Sequence, residues 1–222
     1  VELSGLSCSR DDVTLDLGHV GVAQSLLKSA ELEKKIEAKV IDALKRKSIP
    51  DLERVIESLD ESFAKIFLAL ARLNGDASVL LSARELVLEV APAAADSIDL
   101  LNEVIDSIRI RRPGINIYVD LAELRGYNYH TGIVFAAYTS NFGQAIANGG
   151  RYDNVGSIFG RSRSATGFGA DLKVLMQFYS SLLCEDVGSK VISAPYSDDP
   201  GLRKAVTELR KKGERVVMQL PG

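Results

Sequence analysis

From Glu31 to Ile108 the apolar residues of this chain recur at helical spacing, and beyond Pro113-Gly114 they alternate. A long helical stretch followed by a sheet places the chain in the α+β class. Between Glu31 and Lys47, Leu32, Ile36, Val40, Ile41 and Leu44 share one face, with Glu31 and Lys35 placed as an i,i+4 pair. Pro50 interrupts the pattern. Leu52, Val55, Ile56 and Leu59 mark a second helix, and Phe63, Ile66, Phe67, Leu70 and Leu73 a third, which Asn74-Gly75 stops. Leu86 to Val90, then Ile98, Leu101, Ile105 and Ile108, give two more around Pro92. Ahead of these, Val13–Leu17 alternates and closes at Gly18 as a strand, and a helix follows from Val20 to Ser29.

Past the change of period, Ile115–Asp120, Gly132–Tyr138 and Gln144–Ala147 are predicted strands of one antiparallel sheet. Gly167–Leu183 is predicted as a helix lying on that sheet through Leu172, Leu175, Met176 and Tyr179. The tail reads as a βαβ unit. Val191–Ala194 is its first strand, Asp199 and Pro200 form an N-cap and N1 pair for a helix reaching Lys212, and Glu214–Gln219 is the last strand. The expected organisation is a core of residues 1–29 and 93–185, with an all-helical insertion over 30–92 that packs helix on helix and offers a surface to a partner. Residues 186–222 either complete the core or start a small second domain.

Charge narrows the function classes. The 27 basic and 30 acidic residues are interleaved, and the basic clusters at Arg109/Arg111/Arg112, Arg161/Arg163 and Arg210/Lys211/Lys212 are short. A nucleic-acid partner is therefore not expected, because phosphate binding draws on a concentrated basic face. No apolar run approaches the roughly 20 residues of a membrane span, and no signal peptide opens the chain. Cys8 and Cys184 lie far apart and only two histidines are present, so no zinc site is expected and both thiols are expected reduced in a cytoplasmic protein. With Val1 in place of Met, the chain is expected to begin inside a longer protein.

Three stretches carry the polar chemistry. They are Leu124–Gly132 (LRGYNYHTG), Gly149–Asp153 (GGRYD) and the Thr166-Gly167-Phe168-Gly169 segment, which is expected to open a helix. Glycines let the backbone approach a ligand closely, and an arginine among tyrosine hydroxyls and a histidine suits a carboxylate and a polar ring. A helix N-terminus suits an anion. Turns and core tyrosines explain any single stretch as well; three in succession point to a small polar-ligand pocket on the sheet.

Arg125–Gly132 followed by Gly149–Asp153 resembles the paired histidine-binding signatures of histidyl-tRNA synthetases, and Gly167-Phe168 resembles the start of the third class II motif. The resemblance covers about residues 113–183, with the helical insertion where that family carries one. It implies a class II synthetase-like antiparallel sheet flanked by helices, with the first two class II motifs ahead of Val1. It also implies a histidine site made by Arg125, Tyr129, His130, Thr131, Gly149, Gly150 and Tyr152. His130 stands where the family has a tyrosine, and either lines the pocket or makes a structural hydrogen bond. His19 is expected as a turn or helix-start residue. Where the family's third motif has a small residue and an ATP-clamping arginine, this chain has Asp171 and Val174. A carboxylate repels a triphosphate and valine offers it nothing, so adenylation is expected to be lost.

That pattern, with the Asp120–Tyr127, Phe135–Tyr138, Gly160–Arg163 and Val216–Gly222 stretches, resembles the regulatory subunits of ATP phosphoribosyltransferase more than the synthetases. The resemblance implies a non-catalytic subunit without a cofactor. It would form a homodimer through the synthetase-like core, assemble with the short catalytic subunit, and respond to L-histidine as effector. A divergent histidyl-tRNA synthetase fragment that activates histidine with ATP is the alternative, and a ligand-free scaffold is a third reading.

Overall fold

The computed structural model describes residues 13–124, 126–127, 129–139, 142–154, 160, 163–178 and 191–219. Arg125, Asn128, Tyr179 and both cysteines lie outside them. The chain divides into two units, one of Cys8–Phe178 and one of Val1–Ser7 with Tyr179–Gly222.

In the larger unit, β1 (Val13–His19) leads directly into α1 (Val20–Ser29), as the sequence predicts. Helices α2 (Lys34–Lys45), α3 (Ile49–Ile56) and α4 (Glu61–Arg72) follow, then the short strand β2 (Asn74–Gly75). Helices α5 (Val79–Leu88) and α6 (Pro92–Arg111) complete the helical part. After them come β3 (Asn116–Asp120), β4 (Ile133–Thr139), β5 (Phe142–Arg151), β6 (Thr166–Ala170) and α7 (Leu172–Phe178). The strands form one sheet in the order β2-β3-β1-β4-β5-β6.

The sheet departs from the sequence expectation in three places. It is mixed, because β1 and β3 run parallel, Leu15 opposite Ile117. A parallel neighbour requires a long crossover, and the whole helical run between them provides one. Asn74-Gly75 ends α4 and also pairs with Asp120 and Val119 as an edge strand. Thr166–Ala170, expected to open a helix, is a strand paired with β5, Gly149 opposite Phe168. The outer edge of β5 carries backbone groups that need partners, and a Gly-Phe-Gly stretch resists helix. The helix therefore starts only at Leu172, and Leu172 and Met176 are exposed instead of lying inward.

One continuous core joins the helices to the sheet. Leu17, Val119, Leu26, Leu44, Leu52, Phe67, Leu80, Ile98, Leu101 and Ile105 belong to it, all nearly inaccessible. Each such side chain contributes about 1.5–3 kcal/mol of transfer free energy. Helix α6 buries Ala94, Ala95, Ile98, Leu101 and Ile105, the helical spacing read from sequence. Its small first turn leaves room for α1, where Val20, Val22 and Ala23 are fully buried.

Helix α2 closes with Lys47 N–H donating to the Leu44 carbonyl (3.0 Å) and Ser48 N–H to the Ala43 carbonyl (3.0 Å). This paired closure puts its penultimate residue in left-handed backbone, where glycine is favoured. Here that residue is Lys47, at φ 51°. A side chain in that conformation costs about 1 kcal/mol.

In the smaller unit, β7 (Ile192–Ala194), α8 (Pro200–Lys211) and β8 (Val216–Met218) form the expected βαβ, with the two strands parallel. Ala194, Val206 and Val216 make its core. The Asp199 carboxylate caps α8 by accepting from Gly201 N–H (3.0 Å), and Arg210 donates to the Val216 carbonyl (2.7 Å).

Candidate functional site

Side chains alternate across a sheet, so strand register decides which signature residues meet. Val134 lies opposite Gly150, and Gly150 opposite Gly167, which places both glycines on one face. Over them lie the rings of Tyr152 and His130. A Cβ on Gly150 would stand 2.7 Å from both His130 Cδ2 and the Ile133 carbonyl oxygen, and one on Gly167 would collide with the Tyr152 hydroxyl. Only glycine lets these rings lie against the sheet. Tyr129 completes the group. Its centroid is 5.1 Å from that of Tyr152 and 5.5 Å, edge-on, from that of His130, while His130 and Tyr152 are 6.3 Å apart. Burial holds the His130 imidazole below its ordinary range. Its Nδ1 faces Gly126 without a hydrogen-bond partner among the described residues. The result is a neutral aromatic surface on a glycine floor, open at Tyr129, that suits a planar polar ring.

The other predicted site residues take different places. Thr131 laces the two signatures together. Its N–H donates to the Arg151 carbonyl (2.8 Å) and its Oγ1 accepts from Asp153 N–H (3.0 Å). Arg151 then donates to Asp153 (3.0 Å) and Ser164 (3.2 Å). Gly149 points to the opposite face, where a Cβ would stand 2.7 Å from Phe168 Cα, so it serves strand contact and not the ring cluster. Arg125 lies outside the described residues.

His19 is a helix-start residue, as expected. It caps α1 by accepting from Gly21 N–H at Nδ1 (3.0 Å). It sits opposite Ile133, on the helix-covered face, and is only 6% exposed. Burial, reinforced by the nearby Arg151 charge, lowers its pKa to about 4.

Sequence reading missed a second feature. Beside the signature loop lies a cleft of about 530 Å³ lined by Asp16, Lys45, Lys47, Asp120, Glu123 and Tyr138 among others. The nearly inaccessible Asp120 carboxylate accepts from Lys47 Nζ (2.6 Å) and from Ala122 N–H (3.1 Å). Burial works against the Lys47 charge, but the hydrogen bond and attraction of Asp120 prevail and raise its pKa. Asp16, Asp120 and Glu123 each bring an oxygen within 4.8 Å of the others. The trace of this in sequence is a carboxylate in each of two strands, Asp16 in β1 and Asp120 at the end of β3, and their parallel pairing makes them neighbours.

At the third motif, the Asp171 carboxylate accepts from Lys173 N–H (2.9 Å) and Val174 N–H (3.2 Å). The leading donors of α7, which would attract a phosphate, are occupied by the chain's own anion.

A profile of the histidyl-tRNA synthetase family matches residues 2–175, and one described as the ATP phosphoribosyltransferase subunit HisZ C-terminal domain matches residues 189–222. The chain is 41% identical to an ATP phosphoribosyltransferase regulatory subunit of Stutzerimonas stutzeri, over 95% of this chain and 53% of that protein. It thus spans about half the length of the curated relatives it matches. Among solved structures it resembles an ATP phosphoribosyltransferase regulatory subunit/histidyl-tRNA synthetase from Bacillus halodurans C, with TM-score 0.67 and 23% identity over 94% of this chain and 54% of that one. It also resembles a chain of the ATP phosphoribosyl transferase (HisG:HisZ) complex from Thermotoga maritima, with TM-score 0.55 and 20% identity over 71% of this chain and 52% of that one. At these identities the structural likenesses establish the fold, a synthetase-like α+β core. Among the described residues, no helix is long and apolar enough to cross a membrane.

Proposed function

The chain belongs to the histidyl-tRNA synthetase family, and on that premise we propose that it is the histidine-sensing part of an ATP phosphoribosyltransferase regulatory subunit, a cytoplasmic protein that does not itself catalyse. The observation that carries this reading is the 41% identity to such a regulatory subunit across 95% of the chain, joined to the match at residues 189–222.

The site chemistry supports it. An imidazole ring fits the surface made by Tyr129, His130 and Tyr152 over Gly150, and Arg125 is assigned the ligand carboxylate. Thr131 and Gly149 contribute by fixing the two signatures. ATP is disfavoured at the third motif, because the Asp171 carboxylate already takes the donors that a phosphate would use and repels it besides. The family's synthetase activity is the second reading, favoured by the profile match over residues 2–175.

In the active complex this chain pairs with itself through the synthetase-like core and with the short catalytic subunit. The test is reconstitution of the full-length protein with that catalytic subunit. Phosphoribosyl transfer is expected to require this protein and to fall on titration with L-histidine, with no histidine-stimulated exchange between ATP and pyrophosphate. Full activity of the catalytic subunit alone, or robust exchange, would reject the proposal.

A further inference from the structure

We infer that Lys47 is a positioning residue, an ammonium clamp through which the end of α2 holds the loop that carries the first signature. Three observations converge on it. Lys47 occupies the left-handed position of the α2 closure, where glycine is the favoured residue, so the side chain is present against backbone preference. Its Nζ reaches the Asp120 carboxylate at 2.6 Å, and that carboxylate is only 5% exposed. The same carboxylate accepts from Ala122 N–H (3.1 Å), and Asp120's carbonyl accepts from Glu123 N–H (3.2 Å), so it fixes the first turn of the loop between β3 and β4.

A second tie comes from α2 itself. Lys45 Nζ lies 6.0 Å from the centre of the Tyr127 ring, farther along that loop. The loop continues through Tyr127 N–H to the Leu124 carbonyl (3.0 Å), and through Tyr129 and His130 N–H to the Gly126 carbonyl (2.7 Å each). Motion at Asp120 is thereby passed to Tyr129 and to His130, the ring that lies over Gly150. A helix of the inserted segment sets the geometry of the ring cluster without touching it. The consequence for ligand affinity rests on the proposed histidine reading; the clamp itself does not.

The test compares Lys47→Met, Lys47→Gly and Lys47→Arg with the exposed-pair control Lys65→Met in the full-length protein. Two quantities are measured: amide hydrogen exchange of peptides covering 121–124 and 129–132, and histidine affinity by calorimetry. Loss of one charge-assisted contact to a buried carboxylate is expected to raise exchange in both peptides by about five- to tenfold in the Met and Gly variants. Histidine affinity falls by a similar factor, the Arg variant restores both, and Lys65→Met changes neither. Lys47→Gly separates positioning from folding. It relieves the left-handed backbone, so the unfolding temperature falls less than in Lys47→Met while the loop loosens as much. Unchanged loop exchange in both the Met and Gly variants overturns the clamp. Faster loop exchange in a protein that binds no histidine upholds the clamp and sinks the histidine reading.

Discussion

His19→Asn keeps an acceptor at the start of α1 and removes a proton site, so it isolates what burying a neutral imidazole does to stability. In the fold, Nδ1 accepts from Gly21 N–H, and protonation would turn that acceptor into a second donor facing the first. The imidazole titrates near 6.5 when solvated and near 4 in the fold. Between those values the unfolded chain binds a proton that the folded chain refuses. Stability therefore rises with pH across the window and is lost as pH falls through it. A gap of about 2.5 at about 1.4 kcal/mol per pH unit amounts to about 3 kcal/mol. The residue is only 6% exposed, so solvent screening takes little from this figure. The assay is urea unfolding followed by far-UV circular dichroism, since the sequence contains no tryptophan. Wild type and H19N are compared at intervals from pH 7 to pH 4. Carboxylate protonation affects both proteins alike and cancels in the difference. Wild type is expected to lose about 3 kcal/mol relative to H19N between pH 6.5 and pH 4. Parallel profiles would show that the imidazole titrates normally and refute the reasoning.

Gly150→Ala is expected to destabilise by about 1–3 kcal/mol in thermal denaturation, because its Cβ meets the Ile133 carbonyl oxygen and strand β4 must shift. Phe67→Ala, at a fully inaccessible position of α4, is expected to cost about 3–5 kcal/mol in denaturant unfolding. Asp199→Ala removes the cap of α8 and is expected to weaken that helix by about 1 kcal/mol, read as faster amide exchange at its first turn.

The helices were legible because their burial follows a local period. α1 falls where the sequence places it, and α6 buries the apolar positions that its spacing marks. The aromatic residues of the signatures were legible as residue types, and the family resemblance implied the grouping of Tyr129, His130 and Tyr152 that the structure shows. Gly149 and Gly150 are adjacent in β5 and so face opposite sides of the sheet, and which of the two meets the rings depends on the register with β4 and β6. Gly167-Phe168-Gly169 was misread as a helix start because the partner that makes it a strand, β5, is remote in sequence.

The Lys47–Asp120 contact was beyond sequence reading for the same reason, as was the convergence of Asp16 with Asp120. From sequence alone came most of the element types, β2 and β6 excepted, with the α+β class, the βαβ tail and the residue types of the pocket, because each depends on neighbours within a turn or a strand. Tertiary structure decided the parallel β1–β3 pairing, the face each glycine takes and the partner of each buried charge. These depend on contacts between segments far apart in the chain, and a local pattern holds no record of which distant backbone or charge will lie against it.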